Sequence, residues 1–315
     1  MKPKLIAAFF CLLGWCSFSS SAASTNDTVY MFTSFRENGQ DGLRFLYSFD
    51  ALHWTNVPGT FMKPNVGGKI LRDPSIVRGP DGTFHLVWTT AWRGDKGFGY
   101  ASSTNLINWS EQKFVEAMKH EPDTANVWAP ELFYDDAARE FVICWASTIP
   151  GRFPDHLEPR TNNHRMYYTT TTDFKTFTPT KLYLDPDFSV IDCQIVKRDT
   201  HDFVLLLKDN TRPQRDIRVA FGDGPLGPWR NISPPFTEKF TEGPCAMKVG
   251  EEWLIYFDVY QRNIYGAMKT RDFKTFTDIT SEVSFPEHHK HGTAFRAPRA
   301  LLNNLLKQAR DAGNQ

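Results

Sequence analysis

Five apolar stretches recur along the 315-residue chain: TVYMFTSF (28–35), TFHLVWTTAW (83–92), EFVICWAST (140–148), DFVLLLKDN (202–210) and EWLIYFDVY (252–260). Each is followed by a second signature, a strand running into a turn and an aromatic: YSFDALHWT, YASSTNLINWS, YYTTTTDFKTFT, VAFGDGPLGPWRN and YGAMKTRDFKTFT. A period of roughly 50–60 residues holds four short strands, the size of one propeller blade. Helical periodicity is confined to ALLNNLLKQAR near the C-terminus, whereas β-branched and aromatic residues fill the rest. A two-sheet sandwich would not repeat two signatures in fixed order. The pattern predicts an all-β, five-bladed propeller in one domain over 24–315.

A third element precedes four of the apolar strands: DPSIVRGPDG, APELFYDDAA, DCQIVKRDT and GPCAMKVGE. Its fifth copy, GTAFRAPRA, follows the last blade. That displaced strand is expected to complete the first blade and close the ring, removing an open sheet edge.

Residues 1–23 carry two lysines, an apolar run through Cys16 and a small-residue end at Ser21-Ala22-Ala23. They read as a secretory signal peptide, so the mature protein is expected to be exported, periplasmic or extracellular. Bulky Trp15 stands where a lipidated Cys16 wants a small neighbour. No later stretch has transmembrane length. The remaining Cys144, Cys193 and Cys245 lack metal-ligand spacing and read as buried small apolar residues. With 36 basic and 36 acidic residues and no basic stripe, the chain lacks the electrostatic footprint of a nucleic-acid binder.

If the third elements are the innermost strands, their starts meet at one mouth of the axial channel. Asp73 lies 11 residues before Phe84, Asp192 11 before Phe203 and Glu242 11 before Trp253. Trp128-Ala129-Pro130 occupies that level in another blade, and His291 precedes Gly292 in the closing strand. Carboxyls crowded at a small mouth have their proton affinities pushed apart, as acid/base chemistry requires. Glycoside hydrolysis with inversion needs two such groups roughly 6.5–9.5 Å apart.

The ordered set Arg72-Asp73-Pro74-Ser75-Ile76, Trp128-Ala129-Pro130-Glu131, Ile191-Asp192, Glu242-Gly243-Pro244 and His291-Gly292-Thr293 resembles the five-bladed glycoside hydrolases of family 43. The resemblance implies that Asp73 is the general base, Glu242 the general acid and Asp192 the carboxylate that orients the acid. It implies that His291 touches a calcium ion or a water cluster in the channel. Two departures stand out: residues 28–56 precede the Asp-Pro motif, and Cys193-Gln194 follows Asp192 where a proline is usual.

Trp128, Trp92 and Trp145 are candidate sugar platforms, and Arg296 is a candidate hydroxyl-binding group. Glu131 lies inside the pocket or on its rim, and PGRFPDHLEPRTNNHR (150–165) is expected to line the cleft. The expected activity is removal of a terminal sugar, α-L-arabinofuranosyl first, from a polysaccharide or oligosaccharide by an inverting exo-hydrolase. β-Xylosyl, galactosyl or galactofuranosyl residues suit the same site. A non-catalytic carbohydrate-binding propeller would have lost one of the three carboxyls, and the retaining fructan hydrolases carry a different N-terminal motif.

Overall fold

Alternating side chains along each strand are apolar on both sides, so every sheet must be covered on both faces, and a ring of sheets does this with one architecture repeated. The computed structural model describes residues 28–153, 158 and 162–313. The signal-peptide reading and Cys16 lie outside the described residues.

The first sheet contains β1 (Thr28–Ser34), β2 (Leu43–Ser48) and β3 (Thr55–Met62). The second is β4 (Arg72–Arg78), β5 (Phe84–Thr89), β6 (Phe98–Ser103) and β7 (Lys113–Val115). The third is β8 (Trp128–Asp135), β9 (Glu140–Ser147), β10 (Arg165–Thr171) and β11 (Lys181–Leu184). The fourth has three strands, β12 (Val190–Asp199), β13 (Asp202–Asp209) and β14 (Asp216–Gly222). The fifth is β15 (Thr241–Val249), β16 (Glu252–Val259), β17 (Ile264–Thr270) and β18 (Thr277–Asp278). Strand β19 (Ala294–Pro298) then pairs antiparallel with β1, Thr28 opposite Pro298 and Phe32 opposite Ala294, and closes the ring. The five-bladed propeller and its closure are as the sequence predicts. A final helix, α1 (Arg299–Gly313), buries Leu302 and Leu305 against the first blade. No helix among the described residues is long and apolar enough to cross a membrane.

Five apolar clusters fill the seams between neighbouring blades. Strand β9 shows how parity assigns side chains. Phe141, Ile143 and Trp145 pack toward the second blade with Val87 and Phe98, while Val142, Cys144 and Ala146 pack toward the fourth with Ile195 and Leu205. The three described cysteines are free and buried in these seams.

The innermost strands of the second to fifth blades are each broken by the same bulge. Register shifts occur between Arg72 and Ser75, Trp128 and Glu131, Ile191 and Gln194, and Glu242 and Cys245. The residue after the first of each pair has positive φ: Asp73 (50°), Ala129 (45°), Asp192 (53°) and Gly243 (58°). Pro74, Pro130 and Pro244 follow in three of the four. A bulge leaves a residue unpaired, so a missing N–H costs nothing there. This alignment corrects the residue counting above. The bulge counterpart of Asp73 and Asp192 is Gly243, and Glu242 matches Arg72, Trp128 and Ile191. Between Gly243 and Trp253 the chain is one residue shorter than between Asp73 and Phe84, which displaces the count in the fifth blade.

Candidate active site

The bulges turn the starts of β4, β8, β12 and β15 toward the axis. There Arg72, Asp73, Trp128, Ile191, Asp192, Glu242 and His291 line one cavity of about 210 Å³. Asp73, Asp192 and Glu242 therefore meet, though they are more than a hundred residues apart at the extremes. Asp73 and Asp192 hold left-handed backbone, which costs a side-chain-bearing residue roughly 1–3 kcal/mol and persists where surrounding structure imposes it. At Gly243 the imposition is visible, because a Cβ there would lie 2.0 Å from His291 Cγ.

His291 is the hub. Its Nε2 lies 3.0 Å from Asp73 Oδ1 and its Nδ1 lies 2.7 Å from Asp258 Oδ2. Burial opposes charge on the ring, but two carboxylates on its two nitrogens outweigh that and hold it protonated, well above the usual histidine range. Asp73 is itself desolvated, yet the His291 hydrogen bond, the Arg72 charge and the Thr89 hydroxyl at 2.7 Å bring it down to about 2. Thr89 Oγ1 accepts from the Ala129 N–H at 2.7 Å, which ties the second blade to the third.

Across the cavity stands a group whose cation the sequence reading missed. Lys208, on β13 and 1% exposed, donates to Glu242 Oε2 at 2.9 Å. Burial pushes Glu242 up, and the Lys208 ammonium and His291 pull it further the other way, to about 2. Asp192 accepts the Gly243 N–H at 3.1 Å. For Asp192 burial prevails over Lys208 and His291, lifting it to about 6. In this buried trio the raised direction for Asp192 is the one the geometry supports, since Lys208 bonds directly to Glu242.

The rim is aromatic. Trp128 Nε1 donates to the Trp92 carbonyl at 2.9 Å, and the two rings meet edge to face at 6.0 Å. Trp92 is 47% exposed with Arg72 against its inner face, 4.0 Å from the ring centroid. Asn162, Asn210 and Arg215 complete the lining. Asn162 belongs to the 150–165 segment expected there. A smaller cavity below holds Glu131, whose carboxyl accepts from Ser75 Oγ at 2.7 Å and is pushed by burial to about 8 despite that bond.

Two expected binding residues lie elsewhere. Trp145 is fully buried in the seam between the second and third blades, 5.6 Å from Phe98, because strand parity aligns it with Phe141 and Ile143. Arg296 is exposed on β19, stacked 5.4 Å from the Tyr30 ring, and its Nη2 donates to the backbone carbonyl of Lys248 at 2.9 Å. Neither lines the cavity. Nor does His291 suit calcium. Both ring nitrogens are engaged by carboxylates, so a protonated ring has no lone pair to give, and Lys208 already neutralises Glu242. Glu242, Asp258 and His291 present atoms within 4.8 Å of one another, but calcium wants six to eight oxygens. The donor set does not fit that ion.

The family described as "Probable glycosyl hydrolase domain", related to family 43, matches residues 26–299. The chain belongs to the family 43 group of glycosyl hydrolases. No curated protein matches it by sequence. Among solved structures it is similar to an α-L-arabinanase of Cellvibrio cellulosa complexed with arabinohexaose, with 12% identity over 82% of this chain and 95% of that one and a TM-score of 0.57. It is also similar to a family 43 β-1,3-galactosidase with galactodeoxynojirimycin (11% identity, 70% and 79% covered, TM-score 0.54). A thermostable family 43 glycoside hydrolase gives 14% identity, 70% and 75% covered and a TM-score of 0.52. At these identities the likeness concerns the fold.

Proposed function

We propose that this glycoside hydrolase is exported, acts by inversion and removes single terminal sugars from polysaccharide or glycan side chains. The observation that carries the reading is the division of charge across the cavity. Asp73 is held ionised by His291 and Thr89, while opposite it burial lifts Asp192 to about 6 and Lys208 holds Glu242 down, so the proton this pair carries rests on Asp192 and is passed through Glu242. Asp73 removes a proton from water as its oxygen attacks the anomeric carbon. The bond from that carbon to the leaving oxygen breaks, and the oxygen takes its proton from Glu242. Glu242 is assigned the delivery because 24% of its side chain reaches the cavity, whereas Asp192 is 9% exposed and sits behind it. The three groups share their charge, so their titration belongs to the set.

A cavity of about 210 Å³ backed by the Trp92–Trp128 pair suits one ring at a chain end, hence exo attack. The α-L-arabinofuranosyl group is the first candidate, with β-xylosyl and galactosyl or galactofuranosyl groups next. Incubation with the corresponding nitrophenyl glycosides tests the class, and proton NMR of the first product anomer tests inversion. Silence on every glycoside and polysaccharide would refute turnover, and a retained anomer would refute the roles given to Asp73 and Glu242. Export is tested by locating the processed chain in cell fractions.

A further inference from the structure

We propose that the substrate carries a carboxylate received by Arg215, that is, a uronic acid at or next to the bond that is cut. This deepens the reading of the cavity as a sugar site and rests on it.

Four cations line the cavity: Arg72, Lys208, Arg215 and His291. Three have their anions. Arg72 Nη1 lies 2.7 Å from Glu37 Oε1, Lys208 lies 2.9 Å from Glu242, and His291 lies between Asp73 and Asp258. Arg215 differs. Among the described residues no carboxylate oxygen lies within 4.0 Å of it, its Nε is buried without a hydrogen-bond partner, and its polar contact is Nη1 to the Tyr260 hydroxyl at 3.5 Å. The face of the Tyr260 ring is already taken by Lys208, 5.1 Å from its centroid. Two cations thus share one wall, and only one of them is neutralised there.

The backbone fixes this guanidinium relative to the chemistry. The Arg215 N–H donates to the Thr211 carbonyl at 3.2 Å, and its own carbonyl accepts from the Thr241 N–H at 3.0 Å, the residue immediately before Glu242. Its φ of 46° is left-handed for a side-chain-bearing residue, which the flanking strands must hold. A charged group partly removed from water without an anion is costly. A guanidinium offers two parallel N–H donors in a plane, which matches a carboxylate and not a lone hydroxyl. Neutral sugars would leave this demand unmet.

The test is calorimetric binding of D-galacturonate and D-glucuronate, against D-galactose, D-glucose and the methyl esters of the two acids, to the whole protein. We expect the acids to bind at least about 10-fold tighter than neutral sugars and esters, from the usual strength of a charged hydrogen bond. The advantage should shrink with added salt, fall to a ratio near 1 in Arg215→Met and persist in part in Arg215→Lys. Arg215 joins no ion pair among the described residues, so its substitution should leave the thermal melt in place. Equal binding of acids and neutral sugars, or an advantage that survives Arg215→Met, would overturn the proposal. Turnover of neutral glycosides alongside a ratio of 1 would sink this inference and leave the hydrolase standing. An Arg215-dependent ratio without any turnover would do the reverse.

Discussion

Replacing Lys208 by Met removes a positive charge 2.9 Å from Glu242 Oε2 and keeps most of the side-chain volume. At an effective dielectric of about 20, a charge pair at that distance is worth roughly 6 kcal/mol. A quarter of the Glu242 side chain faces the cavity, and screening by the water there removes part of this. Taking about half as the surviving share gives roughly 3 kcal/mol, or about two pK units. The sign follows from what Lys208 opposes. It favours the ionised forms of both Glu242 and Asp192, so its loss makes the group hold its proton to higher pH. That shift is Glu242's own; Asp192, lifted by burial to about 6, loses the same cation at longer range, so the activity limb that falls as the group deprotonates should move to higher pH by up to about two units. The assay is kcat/KM against pH from 4 to 9 on a glycoside with a poor leaving group, where proton delivery limits the rate. Lys208→Arg, which keeps the charge, should leave the limb near 6. A limb unmoved in Lys208→Met, or moved to lower pH, would refute the assignment of the proton to this group.

Gly243→Ala should lose activity and stability together, since its Cβ would overlap His291 at 2.0 Å where φ is 58°; a variant with wild-type melt and turnover would show that the bulge is not constrained. Trp92→Ala should raise KM with little change in melting temperature, whereas Trp145→Ala should cost about 3–5 kcal/mol of stability, as its ring is wholly buried. Denaturant unfolding of both variants separates them, and a larger loss in Trp92→Ala would contradict the placement. Asp73→Asn should lower kcat by at least about 10² to 10⁴-fold. Because Asp73 is held near 2, below the ordinary aspartate value of 3.8, its ion pair contributes stability that is complete above about pH 4 and lost as pH falls through 2. Acid titration of the melt should show that loss in the wild type and not in Asp73→Asn.

The propeller was legible because strand alternation and turn chemistry repeat along the chain, and repetition survives errors in any single element. Asp73, Asp192 and Glu242 could be brought to one mouth on the same grounds, since each lies at the start of an equivalent strand. The finer register could not. The shorter fifth-blade segment shifts Glu242 by one position against the bulge, and a sequence count has no means of seeing where a turn is tighter. Lys208 and Asp258 were invisible for a different reason. Each sits inside an apolar run, LLLKDN and EWLIYFDVY, at a place where parity alone says only that a side chain is buried. What makes them charged partners is the neighbouring blade. Trp145 shows the converse: an aromatic in such a run is core unless the strand has ended, as it has before Trp92.

That contrast separates the reaction from its specificity in physical terms. The carboxyls lie on innermost strands whose bulges share one register, so a change that moves one of them must break sheet hydrogen bonds in its own blade. Trp92, Asn162, Asn210 and Arg215 instead lie between the second and third strands of the second, third and fourth blades. Those connections can lengthen, shorten or change residues without disturbing a ladder. The axial carboxyls therefore follow the repeat of the fold, while under the proposed reading the accepted sugar is met by three loops that follow no repeat. If Arg215 were exchanged for a neutral residue and the acid preference vanished while the Lys208-governed pH limb stayed near 6, the two layers would be shown to vary independently. Coupled changes in both would mean that the Thr241 backbone bond carries strain from the specificity loop into Glu242.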